Sequence, residues 1–262
     1  MSAILLDSRV VHYEVLGRGR PVIFLHSWVG SWRYWVPAMQ SASISFRAYA
    51  LDLWGYGDSA READRYALEQ QAALLSGFLN RLGIARVVLV GHGLGGLAAI
   101  LFTRNFPGMV ERLMLVDCPL DGKDVNARLG AAPPAELSDW LLARNPEHEP
   151  ARLDAPKADP QAIFRSLKSL DGLSLFAILE KMKMPCLLVH GQGDPLILAH
   201  DKSRLETLPE HVHQIILEQA GHFPMLDDGA RFNRLLADFL ALESGASPRQ
   251  LQLKEEWKRR LR

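Results

Sequence analysis

Three segments of the chain carry residue types that can move a proton and stabilise developing negative charge. The first, residues 87–96, reads VVLVGHGLGG, an apolar run and a glycine-dense turn leading into LAAILF. A strand that turns sharply into a helix through glycines holds its central residue at the strand's end, where serine, cysteine or aspartate would be an exposed nucleophile. In Gly91-His92-Gly93-Leu94-Gly95 that central residue is Gly93. The second segment, MPCLLVHGQGDP, runs from an apolar stretch into Asp194, and the third, EQAGHFPML, puts His222 in a loop after another. A histidine accepts and returns protons near neutral pH, and a carboxylate can fix its tautomer and steady the imidazolium. A candidate base and a candidate acid are therefore present, and the position where a nucleophile would stand holds glycine.

Each piece has an ordinary explanation when taken alone. Aspartate before proline is a common turn former, and a loop histidine is commonly solvated. A glycine-rich strand-to-helix turn could also cradle phosphate, but GHGLGG lacks both the Lys-Ser/Thr of a P-loop and a G-x-G-x-x-G with an acidic ribose partner. The joint occurrence, with each group closing an apolar run, favours one common site. Asp117, at the end of another apolar run, is an alternative acid with a weaker context.

Positioning these groups requires a sheet whose strands end together. Apolar runs bounded by glycine and proline read as strands at 4–6, 10–15, 22–25, 47–51, 87–90, 112–116, 186–189 and 214–217. Helical periodicity appears at 67–82, 97–105 and 230–242. The alternation predicts an α/β fold: a mostly parallel eight-stranded sheet with helices on both faces and an antiparallel entry. Between 119 and 184 the strand rhythm stops, and Pro133, Pro134, Pro146, Pro150, Pro156 and Pro160 punctuate short helical pieces at 137–144 and 163–170. We expect 1–118 and 185–243 to form the core, 119–184 a helical cap inserted over the site, and 244–262 a basic tail, separated by a flexible break at 244–248 and dispensable for the core. The tail's Leu251, Leu253, Trp257 and Leu261 invite a partner or membrane-surface reading, with a solvated helix favoured.

Composition narrows the partners. The 262 residues are 48% hydrophobic and 23% charged, with thirty basic and thirty acidic side chains. No net charge favours nucleic acid or anionic lipid, which leaves a small-molecule, apolar or acyl substrate or ligand. No apolar stretch nears the ~18 residues of a membrane span, and MSAILLDSRVVHYEV lacks the marks of a leader, so a cytoplasmic protein is expected. Cys118 and Cys186 lie inside apolar runs and form no metal-spaced group, so buried thiols are expected, with no metal and no cofactor.

From about residue 3 to residue 243 the chain resembles the α/β-hydrolase superfamily, in particular small bacterial esterase-, lipase- and epoxide-hydrolase-like members. Four motifs carry the resemblance: FLHSWVGSWRYW (24–35) to the His-Gly-x oxyanion loop, DLWGYGDS (52–59) to the D-x-x-G-x-G-x-S turn, VVLVGHGLGG to the nucleophile elbow, and GHFPMLDDGARFNRLLADFL (221–240) to the segment bearing the catalytic histidine and last helix. The resemblance implies His222 as general base, Asp194 as its orienting partner, and the backbone N–H groups of Trp28 and Leu94 as the oxyanion hole. His26, Ser27, His92, Trp140 and Phe223 are candidate pocket residues; Trp28, Trp32, Trp35 and Trp54 belong to the pocket or to the core.

The chain departs from the pattern twice. Gly93 replaces the nucleophile, and Ser27 replaces the glycine that follows the loop histidine. Ser27 reads either as a relocated nucleophile or, the favoured reading, as a small residue accepted in the loop. Losing a side chain at 93 is expected to relax the turn and open space above it, so that Gly93→Ser should supply the one missing oxygen. The function implied is a hydrolase of carboxylic-ester or related acyl bonds whose activity is impaired or altered. The alternatives are a non-catalytic ligand-binding or regulatory pseudohydrolase, and a cofactor-free enzyme in which His222 acts directly as base.

Overall fold

A computed structural model of the chain describes residues 2–243 and 246–251. Eight strands, β1 (Ser2–Leu6), β2 (Arg9–Leu16), β3 (Arg20–Leu25), β4 (Phe46–Leu51), β5 (Val87–His92), β6 (Val110–Val116), β7 (Cys186–Gly191) and β8 (Val212–Leu217), form one sheet in the order β1-β2-β4-β3-β5-β6-β7-β8. β2 pairs antiparallel with β1 and β4, and every other neighbouring pair is parallel. β5 and β7 are buried along their whole length, as uninterrupted apolar runs such as VVLV and CLLV require when helices cover both faces. β1 alternates between half-buried and exposed residues, as an edge strand with one wet face does.

Helices α1 (Val36–Ala42), α2 (Leu68–Leu82) and α3 (Leu94–Asn105) follow β3, β4 and β5. Five short helices lie between β6 and β7: α4 (Arg128–Ala131), α5 (Pro134–Leu141), α6 (Glu149–Asp154), α7 (Pro160–Lys168) and α8 (Leu175–Leu179). The last three are α9 (Lys202–Glu206), α10 (Pro224–Asp227) and α11 (Gly229–Leu240). α1 packs on α11, while α3 packs on α2, α8 and the centre of the sheet. α3 is apolar almost all round, with Leu94 through Thr103 buried, so it fits only between sheet and helices. No helix among the described residues is long and apolar enough to cross a membrane.

Strand and helix assignments from the residues match to within a few positions. α1 went unanticipated because its seven residues, VPAMQSA, are too few to display a period. The expected break at 244–248 is not a free linker throughout. Pro248 and Leu251 are buried, Ser247 Oγ donates to the Glu210 carbonyl at 2.9 Å, and the short helical turn Pro248–Gln250 packs on β8. Leu253, Trp257 and Leu261 lie outside the described residues. Cys118 and Cys186 are buried free thiols, pushed up in pKa by burial, Cys186 to about 12.

Candidate active site

The parallel strands end together, and the groups of interest stand in the loops beyond them. The turn after β5 keeps a tight geometry: Gly93 has φ 47° and ψ −111°, a conformation that costs a side-chain-bearing residue strain and glycine little. The turn keeps its tight shape at little conformational cost. Its neighbours must be glycine for a different reason, which is close approach. A Cβ on Gly91 would meet the Gly95 carbonyl at 2.5 Å, and one on Gly96 would meet Cys118 Sγ at 2.8 Å. Gly93 N–H donates to the Val116 carbonyl and Gly95 N–H to the His26 carbonyl, which lashes the turn to β6 and to the loop after β3.

Above this turn the loops after β7 and β8 meet. His222 Nδ1 lies 2.9 Å from Asp194 Oδ2, with both side chains fully buried. Facing a carboxylate, Nδ1 carries the ring proton, so Nε2 is an acceptor. That acceptor faces Ser27, whose Oγ lies 3.2 Å away. Asp194 Oδ1 accepts from the N–H groups of Leu196 and Ile197 at 2.7 and 3.1 Å. Burial pushes the Asp194 pKa up, but His222 and those two N–H groups outweigh it and hold the carboxyl below its ordinary value. Asp117 goes the other way: burial first, then the charge of Asp194, push its pKa well up. Its Oδ1 accepts from Gly191 N–H at 2.9 Å, a structural bond across the strand ends.

The space over Gly93 is filled, contrary to the expectation of an opening there. A Cβ built on Gly93 would come under 3.0 Å from Ser27 Oγ, a separation real side chains essentially never show, and within 3.1 Å of Ser27 Cβ and 3.2 Å of Trp28 Cζ3. The Ser27 hydroxyl thus stands where the first atoms of an elbow side chain would be.

A buried network holds it there. Ser27 N–H donates to the Tyr34 phenol at 2.8 Å, so the phenol donates in turn to His92 Nδ1 at 2.9 Å. Burial pushes the Tyr34 pKa well up and the His92 pKa well down, and both stay neutral. His26 receives Leu53 N–H on Nε2 at 2.9 Å, so its Nδ1–H donates to the Ser27 carbonyl at 2.7 Å. The loop histidine therefore braces Ser27 from behind. Asp52 supports the same loop by accepting from Trp32 N–H and Asp58 N–H, both at 3.0 Å. A Cβ on Gly57, at φ 53°, would collide with the Asp52 carboxylate, which explains that glycine of the 52–59 turn.

The remaining candidates divide. His92 and Phe223 belong at the centre, with ring centroids 4.5 and 5.2 Å from that of His222. Trp28 is fully buried beside them and donates from Nε1 to Ser166 Oγ on α7 at 2.9 Å. Trp35 packs on Phe24 and Phe232 in the core and reaches the His92 ring at 6.3 Å, and Trp54 is buried. Trp140, on α5, lies under the Arg128 guanidinium, and among the described residues no ring contact joins it to His222, His92 or Phe223. Leu94 opens α3, so its N–H has no acceptor within the helix. Tyr34 and Ser166 escaped the sequence because nothing in their local pattern signals them; only the fold sets them against Ser27 and Trp28.

The 119–184 segment is tied to both loops of the site. Asp154 on α6 accepts from Ser31 Oγ at 2.5 Å and Arg33 Nε at 3.0 Å, and His148 Nε2 pairs with Asp227 Oδ1 at 2.9 Å beside the His222 loop. Ser27, Trp28, His92 and Phe223 are fully inaccessible to solvent and His222 is 1% exposed, so the site is closed. A cavity of about 1170 Å³ opens instead at the opposite ends of the strands, near Arg20, Arg86, Arg112 and Met184, and holds none of these groups. Atoms of His92, Asp117 and His222 lie within 4.8 Å of one another, close enough for a metal. Tyr34 and Asp194 already bind the two histidines, which leaves a poor ligand set.

The chain belongs to the α/β-hydrolase family, whose model matches residues 22–235. It is similar to 2-hydroxy-6-oxo-2,4-heptadienoate hydrolase of Pseudomonas putida, 28% identical over 87% of this chain and 91% of that one. It is also similar to the putative carbamate hydrolase RutD of Stutzerimonas stutzeri, 25% identical over 90% of this chain and 98% of that one. Among solved structures it resembles a thermophilic esterase from Thermogutta terrifontis, with TM-score 0.77 and 22% identity, covering 88% of this chain and 93% of that one. A serine-to-glycine mutant of the N-acyl homoserine lactonase AidH, complexed with N-hexanoyl homoserine lactone, matches with TM-score 0.79 and 20% identity over 91% of this chain and 96% of that one.

Proposed function

We propose that this chain hydrolyses carboxylic-ester or related acyl bonds of a small, largely apolar substrate, by chemistry altered from the family's usual form because position 93 has no side chain. His222 is the general base and Asp194 holds its tautomer; the N–H groups of Trp28 and Leu94 receive the developing oxyanion. The observation that carries this reading is the buried Asp194–His222 pair at 2.9 Å, with the carboxylate held ionised and Nε2 free to accept from a hydroxyl over Gly93. A protein that only binds a ligand has no need of an ionised acid aligned with a base. Relatives named as hydrolases support the class and leave the substrate open.

The 119–184 segment acts as a cap. Its ties through Asp154, His148 and Ser166 close the site, so substrate enters when they part, and their closing excludes water from the charged transition state. The test is a panel of p-nitrophenyl and alkyl esters of short and medium acyl chains, assayed with the full chain and His222→Ala. Turnover by the parent that His222→Ala lowers at least about a hundredfold, the scale of general-base catalysis, supports the reading. Equal rates for the two, or none across the panel, would favour a binding role.

A further inference from the structure

We propose that Ser27 is the nucleophile: the attacking hydroxyl has moved from the elbow to the facing oxyanion loop, giving a triad Ser27–His222–Asp194. This rests on the hydrolase reading and specifies its chemistry.

Three observations converge. Ser27 Oγ is 3.2 Å from His222 Nε2, and the Nδ1–Asp194 bond leaves Nε2 as the acceptor, so the proton of the hydroxyl points at the base. Ser27 Oγ also occupies the volume a side chain on Gly93 would need, so the hydroxyl stands at the reaction centre and not merely near it. Finally, Ser27 is held on three sides: its N–H by Tyr34, its carbonyl by His26 Nδ1–H, and its hydroxyl by His222. The two backbone bonds fix the loop at residue 27, and the hydroxyl bond is one that a glycine there could not make. The two departures from the family pattern, Ser27 and Gly93, then become one exchange, because a serine at 27 is compatible with the elbow only if 93 has no Cβ.

The oxyanion donors survive the exchange. In the usual elbow one donor is the N–H of the residue after the nucleophile. With Ser27 attacking, that residue is Trp28, and Leu94 supplies the second donor from across the site. Ser27 Oγ bonds to the acyl carbon while its proton passes to His222 Nε2. The tetrahedral oxyanion collapses, the C–O bond to the alcohol breaks, and His222 returns the proton to the departing oxygen. Water then attacks the acyl-Ser27 ester, giving a proton to His222. Collapse releases the carboxylic acid, and Ser27 Oγ recovers its proton. One ester and one water give one acid and one alcohol.

The experiment treats the full chain with an alkyl fluorophosphonate and maps the adduct by peptide mass spectrometry, alongside ester hydrolysis by Ser27→Ala, Ser27→Cys and His222→Ala. The expected adduct is on Ser27 and is lost in His222→Ala. Ser27→Ala should lose on the order of 10³–10⁶-fold in turnover, the range between binding-only catalysis and a complete triad. Ser27→Cys, which returns a nucleophile to the same place, should recover an adduct with iodoacetamide and part of the acyl transfer, which shows that the site still folds. Hydrolysis by Ser27→Ala within about tenfold of the parent, with His222→Ala inactive, would overturn Ser27 as nucleophile and leave His222 acting on water. A Ser27 adduct without hydrolysis of any ester would keep the nucleophile and overturn the substrate class. No adduct and no hydrolysis would overturn both.

Discussion

Returning a serine to the elbow is the most informative perturbation, because the site volume makes a specific demand on it. A Cβ at position 93 would sit under 3.0 Å from Ser27 Oγ, 3.1 Å from Ser27 Cβ and 3.2 Å from Trp28 Cζ3, on a backbone at φ 47°. Two costs add. The conformation costs a non-glycine residue about 1–3 kcal/mol, and overpacking a closed site costs another ~1–3 kcal/mol. Gly93→Ser alone should therefore lose roughly 2–6 kcal/mol, which for a chain of this size lowers the unfolding midpoint by on the order of 5–20 °C. Ser27→Gly in the same chain removes the two Ser27 atoms struck and leaves the backbone cost and the milder contact with Trp28. The double variant should regain about 1–3 kcal/mol over the sum of the two single changes, well beyond the ~0.5 kcal/mol scatter of independent sites. Calorimetry of parent, singles and double closes the cycle, and hydrolysis of p-nitrophenyl acetate and butyrate is followed on the same samples. Gly93→Ser should hydrolyse no faster than the parent, its two hydroxyls contending for one place, whereas the double variant should act as an ordinary elbow serine enzyme within about tenfold of the parent. If Gly93→Ser melts with the parent and the two changes simply add, the crowding argument is wrong.

The two acids at the strand ends should separate by their roles. Asp194→Asn should lower kcat by about 10³–10⁴, as tautomer control is lost, while Asp117→Asn, which keeps the acceptor for Gly191 N–H, should stay within about tenfold on the same ester assay. Because the folded pKa of Asp117 is raised, its contribution to stability is complete below the ordinary carboxylate value and is lost as pH rises through the folded value; Asp117→Asn should be no less stable than the parent in urea unfolding at pH 7. Asp154 has the opposite sign. Burial pushes it up, but hydrogen bonds from Ser31, Lys157 and Arg33 outweigh that and lower its pKa, so its contribution is present above the ordinary carboxylate value and lost as pH falls through the folded one. Asp154→Asn should then cost about 1–3 kcal/mol at pH 7 and nothing measurable once the parent's carboxyl is protonated, and a pH-independent difference would count against the assignment. Truncation after Glu243 removes the docked Pro248 and Leu251 and should lower the thermal midpoint by roughly 3–10 °C, from about 1–3 kcal/mol of lost apolar burial; an unchanged midpoint would mean the contact with β8 contributes nothing.

The fold class was legible because it rests on short-range rules. Strands buried on both faces must be uninterrupted apolar runs, and the elbow glycines announce close approach of backbone to backbone, so the eight strands and the turn at Gly93 could be placed from residue types alone. The candidate acid and base were legible for the same reason: each closes an apolar run, and parallel strands end at one edge. The seven residues of α1 and the docking of residues 247–251 were not, since a single helical turn or a few contacts on β8 leave no periodic trace. The residues favoured Asp194 over Asp117 by context alone, and the contrast in their electrostatics is three-dimensional: two N–H donors and a histidine hold the Asp194 pKa down, and burial with the charge of Asp194 pushes that of Asp117 up. Above all, the sequence determined that Gly93 has no side chain and Ser27 has a hydroxyl, 66 positions apart. Only the packing of the two loops decided that one hydroxyl stands in the other's vacated volume, 3.2 Å from His222, because excluded volume acts between neighbours in space and leaves no mark along the chain.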